Sequence, residues 1–549
     1  MTQPTAPQPA APQHDAPQHD VVIAGGGPIG LGLALELARH GVRPVVLEQR
    51  PYGTLHPART NLTNLRSMEH LRRWGIADAL RANDPIGPER ARSVTWLTTL
   101  NGHIVADLAG AFAFADPLPF TSDRAEFAPN AGIERTFQDA AVKHPGIDVR
   151  FSSALESFTQ DDDGVTFTYT DPSGAARTER AKYLVGADGS RSAVRQALGV
   201  RMTGHPDLVE ASIWYIHAPE IAARATVGSS SFYHFINEHG DPALLIAQDD
   251  EGRYMFCVLP GVEGVDADDW DAYREILFRN VGFEFPVEKI NGGRVRVHSL
   301  IAPHFDHGRV FLAGDAAHLI SPMGGFGMNI GVGDSADLGW KLAAVLRGWG
   351  GPRLLESYGI ERSTAITWIQ QECIDNTAML APQFLEPGIS ADGPEGEAVR
   401  ARVGARIMDV KSKEYASIGA QLGYRYDGSP IVVPDGTTPP PLSMGPYTPT
   451  AFPGARAPHV WLDDETSLYD AFGPGFTLLV LGDGVETAGF EAAARERGVP
   501  LTVLDVTAHG LSGLYEANAA LIRPDQHVAW RGTAAPADAG AVLDIARGA

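Results

Sequence analysis

The stretch "VVIAGGGPIGLGLALELARHGVRPVVLE", residues 21–48, constrains this chain more than any other. "VVIA" is a short, wholly apolar, β-branched run, the pattern of a strand buried on both faces. A glycine turn follows, then "LGLALELARHG", helical in pattern and closed by Gly41. "RPVVLE" is a second buried strand, so the stretch reads as a β-α-β unit with short connections. Gly25, Gly27 and Gly30 stand as G-x-G-x-x-G at the junction of strand and helix, with Pro28 and Ile29 before the last glycine. Glycines there permit a tight turn and let a pyrophosphate approach the helix N-terminus, where free N–H groups and the dipole favour an anion. Glu48, followed by Gln49, ends the next strand 23 residues after Gly25. A carboxylate at that position accepts from adenosine ribose hydroxyls and disfavours a 2′-phosphate. The expected ligand is FAD or NAD rather than NADP.

Two later segments separate FAD from NAD. "YLVGADGSRSAVRQALG" puts Asp188-Gly189 at a strand end, with Ser192 and Arg195 after it. "RVFLAGDAAHLISPMGGFGMNIG" puts Gly314-Asp315 at another strand end, then sets five glycines between Gly324 and Gly333. Glycine weakens ordinary structure, and its use is close backbone approach. G-x-G-x-x-G, D-G-x-x-S-x-x-R and G-D-A-A-H, in this order, resemble the three fingerprints of the single-component (class A) flavoprotein aromatic hydroxylases, which have the para-hydroxybenzoate hydroxylase fold. The resemblance covers nearly all of residues 20–380. It implies non-covalent FAD, with Asp315 bonding the ribityl chain. It sets Gly324, Gly325 and Gly327, with Met328 and Asn329 after them, against the isoalloxazine, and Pro322 on its reactive side. Arg59, in "ARTNLTNLRSME", is implied at the flavin edge or the phosphates. Where the family often carries a glutamine, this chain has Asn130, with a shorter reach. His318 is read as a structural residue near the phosphates.

The rest of the chain divides by pattern. Residues 1–19 are rich in Pro, Ala and Gln and repeat "APQHD", the composition of a disordered tail without the charged and apolar regions of a secretory signal. Residues 20–88, 125–200 and 295–380 are assigned to an FAD-binding Rossmann-type α/β core. Residues 89–124 and 201–294 are assigned to an inserted antiparallel β-sheet that binds substrate. Residues 381–452 read as a helical and Pro-rich linker. Residues 453–549 alternate strand and helix again, and "GARAPHVWL", "SLYDAFGPGFTLL" and "LIRPDQHVAWRG" resemble the thioredoxin-like tail of the phenol and aromatic polyketide hydroxylase branch. No C-x-x-C occurs there, so disulfide exchange is excluded and the tail is expected to be separable from the chemistry.

A net charge of −23 argues against nucleic-acid or anionic-membrane partners, and no apolar run reaches spanning length. Two cysteines, far apart, fit a reducing cytoplasm and exclude a metal or disulfide scaffold. A homodimer is the expected assembly.

The resemblance implies a cycle in which NADPH or NADH reduces FAD, O₂ adds to give a C4a-hydroperoxide, and one oxygen passes to an electron-rich aromatic ring. The alternatives are a Baeyer–Villiger or epoxidising monooxygenase on the same scaffold, or a flavin oxidase or intermediate-stabilising flavin protein. The pocket is expected between the inserted sheet and the flavin. Alternation places either Trp214 and Ile216 or Tyr215 and His217 on its inner face, and puts Tyr233, Phe235 and Asn237 on one face. Tyr215, His217, Tyr233, Phe235, Pro322 and Arg253, the last as a flavin-positioning arginine, are the candidate catalytic residues. The purified protein is therefore expected to be yellow. Denaturation should release free FAD, and a colourless protein that gains no flavin absorbance on incubation with FAD would remove the assignment.

Overall fold

A computed structural model of the 549-residue chain describes residues 17–55, 61–86, 93–113, 118–238, 242–379 and 381–549. The apolar run at 21–24 lies at the centre of the first sheet, in the strand His19–Ala24. It pairs in parallel with Pro44–Glu48 on one side and Ala176–Gly186 on the other. Ala176–Gly186 pairs in parallel with Val310–Leu312. The three strands that carry the glycine and Gly-Asp motifs are therefore adjacent and co-directional. Their C-terminal ends, at Gly25, Asp188 and Asp315, open along one edge, as parallel α/β sheets place their ligands. Asp148–Phe151 extends the sheet beyond Pro44–Glu48, and the hairpin Ala154–Gln160 with Val165–Thr170 joins Ala176–Gly186. His19, read from sequence as the last residue of the tail, instead begins the first strand. It pairs with Ala181, and its Nε2 lies 2.6 Å from Glu179 Oε2.

Two helices cover one edge of this opening, Pro28–Arg39 and Gly327–Leu346. They pack closely because Ile29 fits against Gly314 and Gly331, where any Cβ would come within about 3 Å of it. The hydroxyl of Ser335 donates to the Ile29 carbonyl at 2.7 Å.

The inserted sheet has eight strands, ordered His318–Leu319, Glu288–Ile301, Thr203–His217, Arg253–Val258, Ala243–Ala247, Phe232–Phe235, Ser93–Leu97 and Ile104–Ala109. It is antiparallel except where Phe232–Phe235 runs parallel to Ser93–Leu97, which brings the 93–109 hairpin against the 201–301 strands. One face is sealed by the helix Trp270–Val281, with Trp214 against Trp270 and Tyr273. The other face turns toward the 321–326 loop.

The C-terminal sheet is ordered Leu501–Asp505, Phe476–Val480, Ala519–Ile522 and Val528–Gly532, with the first pair parallel and the others antiparallel. It is less separable than the sequence reading expects. Phe476 sits edge-on to Trp340 and Trp349 of the nucleotide-binding part. Arg523, fully buried, donates to Glu361 at 2.6 and 2.9 Å, to Asp337 at 2.9 Å and to Asp525 at 2.7 Å. Lys341 supplies a second buried cation to Asp337 and Glu361, at 2.8 and 2.5 Å. Arg456 pairs with Glu69, and Arg66 donates to Gln526 at 2.6 Å. These acids and bases lie on different domains, so removing either domain strands charge in a dry interface. Removal of one partner from a buried ion network costs on the order of 3–5 kcal/mol. Arg523→Ala should lower unfolding stability by about that amount, measured by denaturant melts, and an unchanged midpoint would show that the network carries no net stability.

Candidate active site

The glycines of the first motif fall into two physical groups. Gly25 has φ +110°, and a Cβ on it would lie 2.3 Å from the Ala187 carbonyl oxygen. A Cβ on Gly30 would lie 2.0 Å from the Gly25 oxygen. These two are glycine because protein backbone fills the space. At Gly27 a Cβ would meet nothing within 4 Å, and the same holds at Gly189 and Gly327. Gly189 is glycine for its left-handed backbone, φ +81°, but at Gly27 and Gly327 glycine is kept although the protein leaves room for a side chain, which fits a molecule lying across the first and third motifs. Two buried polar atoms agree. Asn130 Nδ2, a donor, and Asp188 Oδ1, an acceptor, have no hydrogen-bond partner among the described residues. Asn130 opens the helix Asn130–Lys143, which packs beside Pro28–Arg39. The residues present therefore fit a dinucleotide.

Glu48 is 5 % exposed and accepts from Gly26 N–H and Arg50 N–H, both at 2.8 Å, and from Arg50 Nε at 2.9 Å. Burial alone would raise its carboxyl, but the Arg50 and Gly26 hydrogen bonds hold it below the usual carboxylate range. It stays ionised, an acceptor for ribose hydroxyls. Gln49 points to solvent. Arg50, not foreseen from sequence, orients Glu48, and its buried Nη1 has no hydrogen-bond partner. Its position directly after the strand-end acid was the available signal.

The second motif is built as a short cap. Asp188 Oδ2 accepts from Val194 N–H at 3.1 Å and Ser192 Oγ from Arg195 N–H at 2.9 Å. Arg195 then bridges to the third motif through the Ala316 carbonyl at 3.1 Å. Burial lowers its guanidinium from the usual value, and the charges of Asp188 and Asp315 act to raise it. Asp315 lies in the short turn Gly314–Ala316 at the strand end.

Past that turn, Pro322 is exposed and its carbonyl accepts from Gly325 N–H at 2.9 Å, closing the loop that leads into Gly327–Leu346. Helix geometry leaves the N–H groups of Gly327, Met328 and Asn329 without intrahelical acceptors, so they form the positive end of a 20-residue helix. The Asn329 side chain, expected at the cofactor, is committed elsewhere. It accepts from Asn64 N–H at 2.9 Å and donates to the carbonyls of Leu62 and Gly325 at 2.9 and 2.6 Å, fixing the loop from behind. Arg59 lies outside the described residues. His318 is buried, 2.7 Å from Asp334, consistent with a structural role.

The inserted sheet settles the choice of face. Trp214 and Ile216 are buried toward the helix Trp270–Val281, so Ile213 and Tyr215 look toward the loop, and Met323 packs near Ile213, Leu244 and Cys257. Strand pairing sets Tyr233 beside Leu245 and Phe256, on the face of Trp214. Tyr233 and Phe235 are therefore not pocket residues. Tyr233 OH donates to the Gly228 carbonyl at 2.9 Å and accepts from Ser230 N–H at 2.7 Å, which stabilises a turn. The residues of that strand on the pocket side are Phe232 and His234. A one-residue offset in register inverts every such assignment, which is why alternation alone did not decide it. Arg253 and His217 share the pocket face but sit at its far rim. Arg253 is half-exposed and paired to Asp249 at 2.8 Å, and His217 lies 3.2 Å from the Glu251 carbonyl. Neither is placed at the flavin loop. Tyr215 OH donates to Met255 Sδ at 3.3 Å. His234 Nε2 lies 2.8 Å from Tyr415 OH and its ring stacks on Trp96. Burial, aided by Lys411, pushes this imidazole down to about 3, so it is neutral at physiological pH.

A dinucleotide cradle, a Gly-Asp turn, a glycine loop at a helix N-terminus and an apolar sheet facing it define a flavoprotein that acts on a hydrophobic substrate. Residues 18–372 match the FAD binding domain family, and residues 450–547 match the aromatic-ring hydroxylase C-terminal family. The chain belongs to the FAD-dependent aromatic-ring hydroxylases. It is 32% identical over 550 residues to aklavinone 12-hydroxylase RdmE of Streptomyces purpurascens, covering 95% of this chain and 97% of that protein. It is 33% identical over 561 residues to tetracenomycin B2 monooxygenase-dioxygenase of Streptomyces olivaceus, with the same coverage. Among solved structures, the rebeccamycin biosynthetic enzyme RebC with reduced flavin superposes with TM-score 0.88 at 36% identity, over 97% of this chain and all of that one. Aklavinone-11 hydroxylase with FAD and aklavinone superposes with TM-score 0.84 at 31% identity, over 98% of this chain and all of that one. Among the described residues no helix is long and apolar enough to cross a membrane.

The two groups of glycines predict different failures. Gly30→Ala should destabilise the fold, because backbone occupies the space. Gly27→Val should leave a folded protein, by circular dichroism, that no longer retains FAD. Normal FAD titration of Gly27→Val would place the cofactor elsewhere.

Proposed function

We propose that this protein hydroxylates a flat, polycyclic phenolic substrate of the aromatic polyketide kind, using NADPH or NADH as reductant and O₂ as oxygen source, in the cytoplasm. One observation carries the substrate size. The pocket face of the inserted sheet is a largely apolar floor: Ile213, Cys257 and Leu244 form one row, ended by the buried His234, and Tyr215, Met255, Ile246 and Phe232 form the next. Ile213, Tyr215, Phe232, Leu244 and Met255 are only partly buried, whereas their neighbours on the opposite face are sealed. Incompletely covered apolar surface of this kind marks a ligand-binding wall. The related proteins named above, with aklavinone and tetracenomycin in their names, support the same reading.

When bound, FAD supplies the redox and oxygen-transfer chemistry. The protein's part is positioning and electrostatics. Glu48 and the glycine turn hold the adenosine end, Asp315 and Arg195 the middle. The helix N-terminus at Gly327–Asn329 favours negative charge on the ring placed against it. The sheet holds the substrate rings facing the Pro322–Met323 side of the loop and excludes water.

A screen of one-ring phenols and polycyclic phenols for stimulated NAD(P)H oxidation tests this. A polycyclic phenol should stimulate oxidation at least tenfold, about 1.4 kcal/mol off the reduction barrier, and yield a product heavier by one oxygen atom. Stoichiometric peroxide with no oxygenated product would replace the hydroxylase reading with that of an oxidase.

A further inference from the structure

We propose that Gln248 is a specificity-determining residue that reads a neutral hydroxyl at the end of the substrate remote from the flavin loop. The proposal rests on the polycyclic reading above and adds its polar anchor. The strand Ala243–Ala247 carries Leu244 and Ile246 on the pocket face, and Leu244 and Met323 of the loop pack against the same small cluster of Ala211, Cys257 and Leu259. Gln248 continues that strand by one residue, its N–H donating to the Arg253 carbonyl at 2.9 Å, and so continues the same face. Four residues of strand separate it from Leu244, roughly 13 Å at the usual rise. One ring held at the loop does not span that distance, and several fused rings do.

The side chain is 8 % exposed and folds back on its own strand. Nε2 donates to the carbonyls of Ala247 at 3.1 Å and Ile246 at 3.4 Å. The amide oxygen, Oε1, is thereby left as a buried acceptor with no hydrogen-bond partner among the described residues. Buried amide oxygens are rarely left so, and the cost of one is offset when a ligand donates to it. An acceptor of this kind takes an O–H. It gains nothing from a methyl ether and repels a carboxylate or phenolate. Arg253, opposite Gln248 on this face, is paired with Asp249 and does not offset that repulsion. The structure thus favours a substrate whose remote ring carries an un-ionised hydroxyl.

The test uses the flavin-loaded full chain and three linear three-ring probes: 2-hydroxyanthraquinone, 2-methoxyanthraquinone and anthraquinone-2-carboxylate. Binding is read from perturbation of the FAD visible spectrum. The hydroxy probe should bind at least tenfold more tightly than the other two. In Gln248→Leu, and in Gln248→Met as a second apolar replacement, the hydroxy and methoxy probes should bind within about twofold of each other, with FAD content as the check on folding. Equal binding of hydroxy and methoxy probes by the natural protein, or an unchanged preference in both variants, overturns the role of Gln248 and leaves the polycyclic reading standing. Spectral response to one-ring phenols but to none of the three probes overturns the polycyclic reading and this proposal with it.

Discussion

The site depends on one buried carboxylate. Asp334, about two turns inside the helix Gly327–Leu346, accepts from Gly314 N–H at 2.9 Å, from Arg362 Nε at 2.7 Å, and lies 2.7 Å from His318 Nε2. It therefore ties the Gly-Asp turn to the helix Gly327–Leu346, whose N-terminus is the proposed flavin contact. Burial alone would raise its carboxyl; His318 and Arg362 reverse this and hold it below the usual range. Arg362 reaches on to the Ile330 carbonyl and to Tyr426 OH. This network fixes the Gly-Asp turn and the helix start, and the buried Phe326 anchors the glycine loop between them.

The same logic extends outward. Asn329 pins the loop from behind, and Arg195 pins the second motif to the third. One turn further along the same helix, Asp337 meets Arg523 of the C-terminal domain. A continuous set of buried charges thus runs from the flavin helix to the last domain. Such networks add little net stability compared with apolar packing, but they tolerate few alternative arrangements. That domain contributes no redox pair, yet it completes the charge balance of the helix that serves the cofactor.

The inserted sheet works by asymmetry. Its sealed face, with Trp214, Tyr233, Phe235 and Phe256, is ordinary core. Its other face keeps partly uncovered apolar side chains for the substrate. The central segments, 213–216, Phe232–Phe235, Ala243–Ala247 and 254–258, are apolar at nearly every position, so no alternation in residue type distinguishes their two faces.

The sequence by itself determined the nucleotide half. Glycine spacing, a strand-end acid and two Gly-Asp turns are local chemistry, and local chemistry is written in consecutive residues. It also led to the flavin loop, because five glycines within ten residues have few other uses. Only the tertiary structure decided what depends on partners distant in the chain. It showed which glycines leave space for a ligand, that Asn329 is occupied by Asn64, Leu62 and Gly325, and that Arg253 and His217 stand at the rim. It put His234 rather than Tyr233 on the pocket side, and it joined the tail domain to the core through Arg523. Each of these follows from strand register or from a charge pair spanning many residues, and neither quantity is carried by any single stretch of sequence.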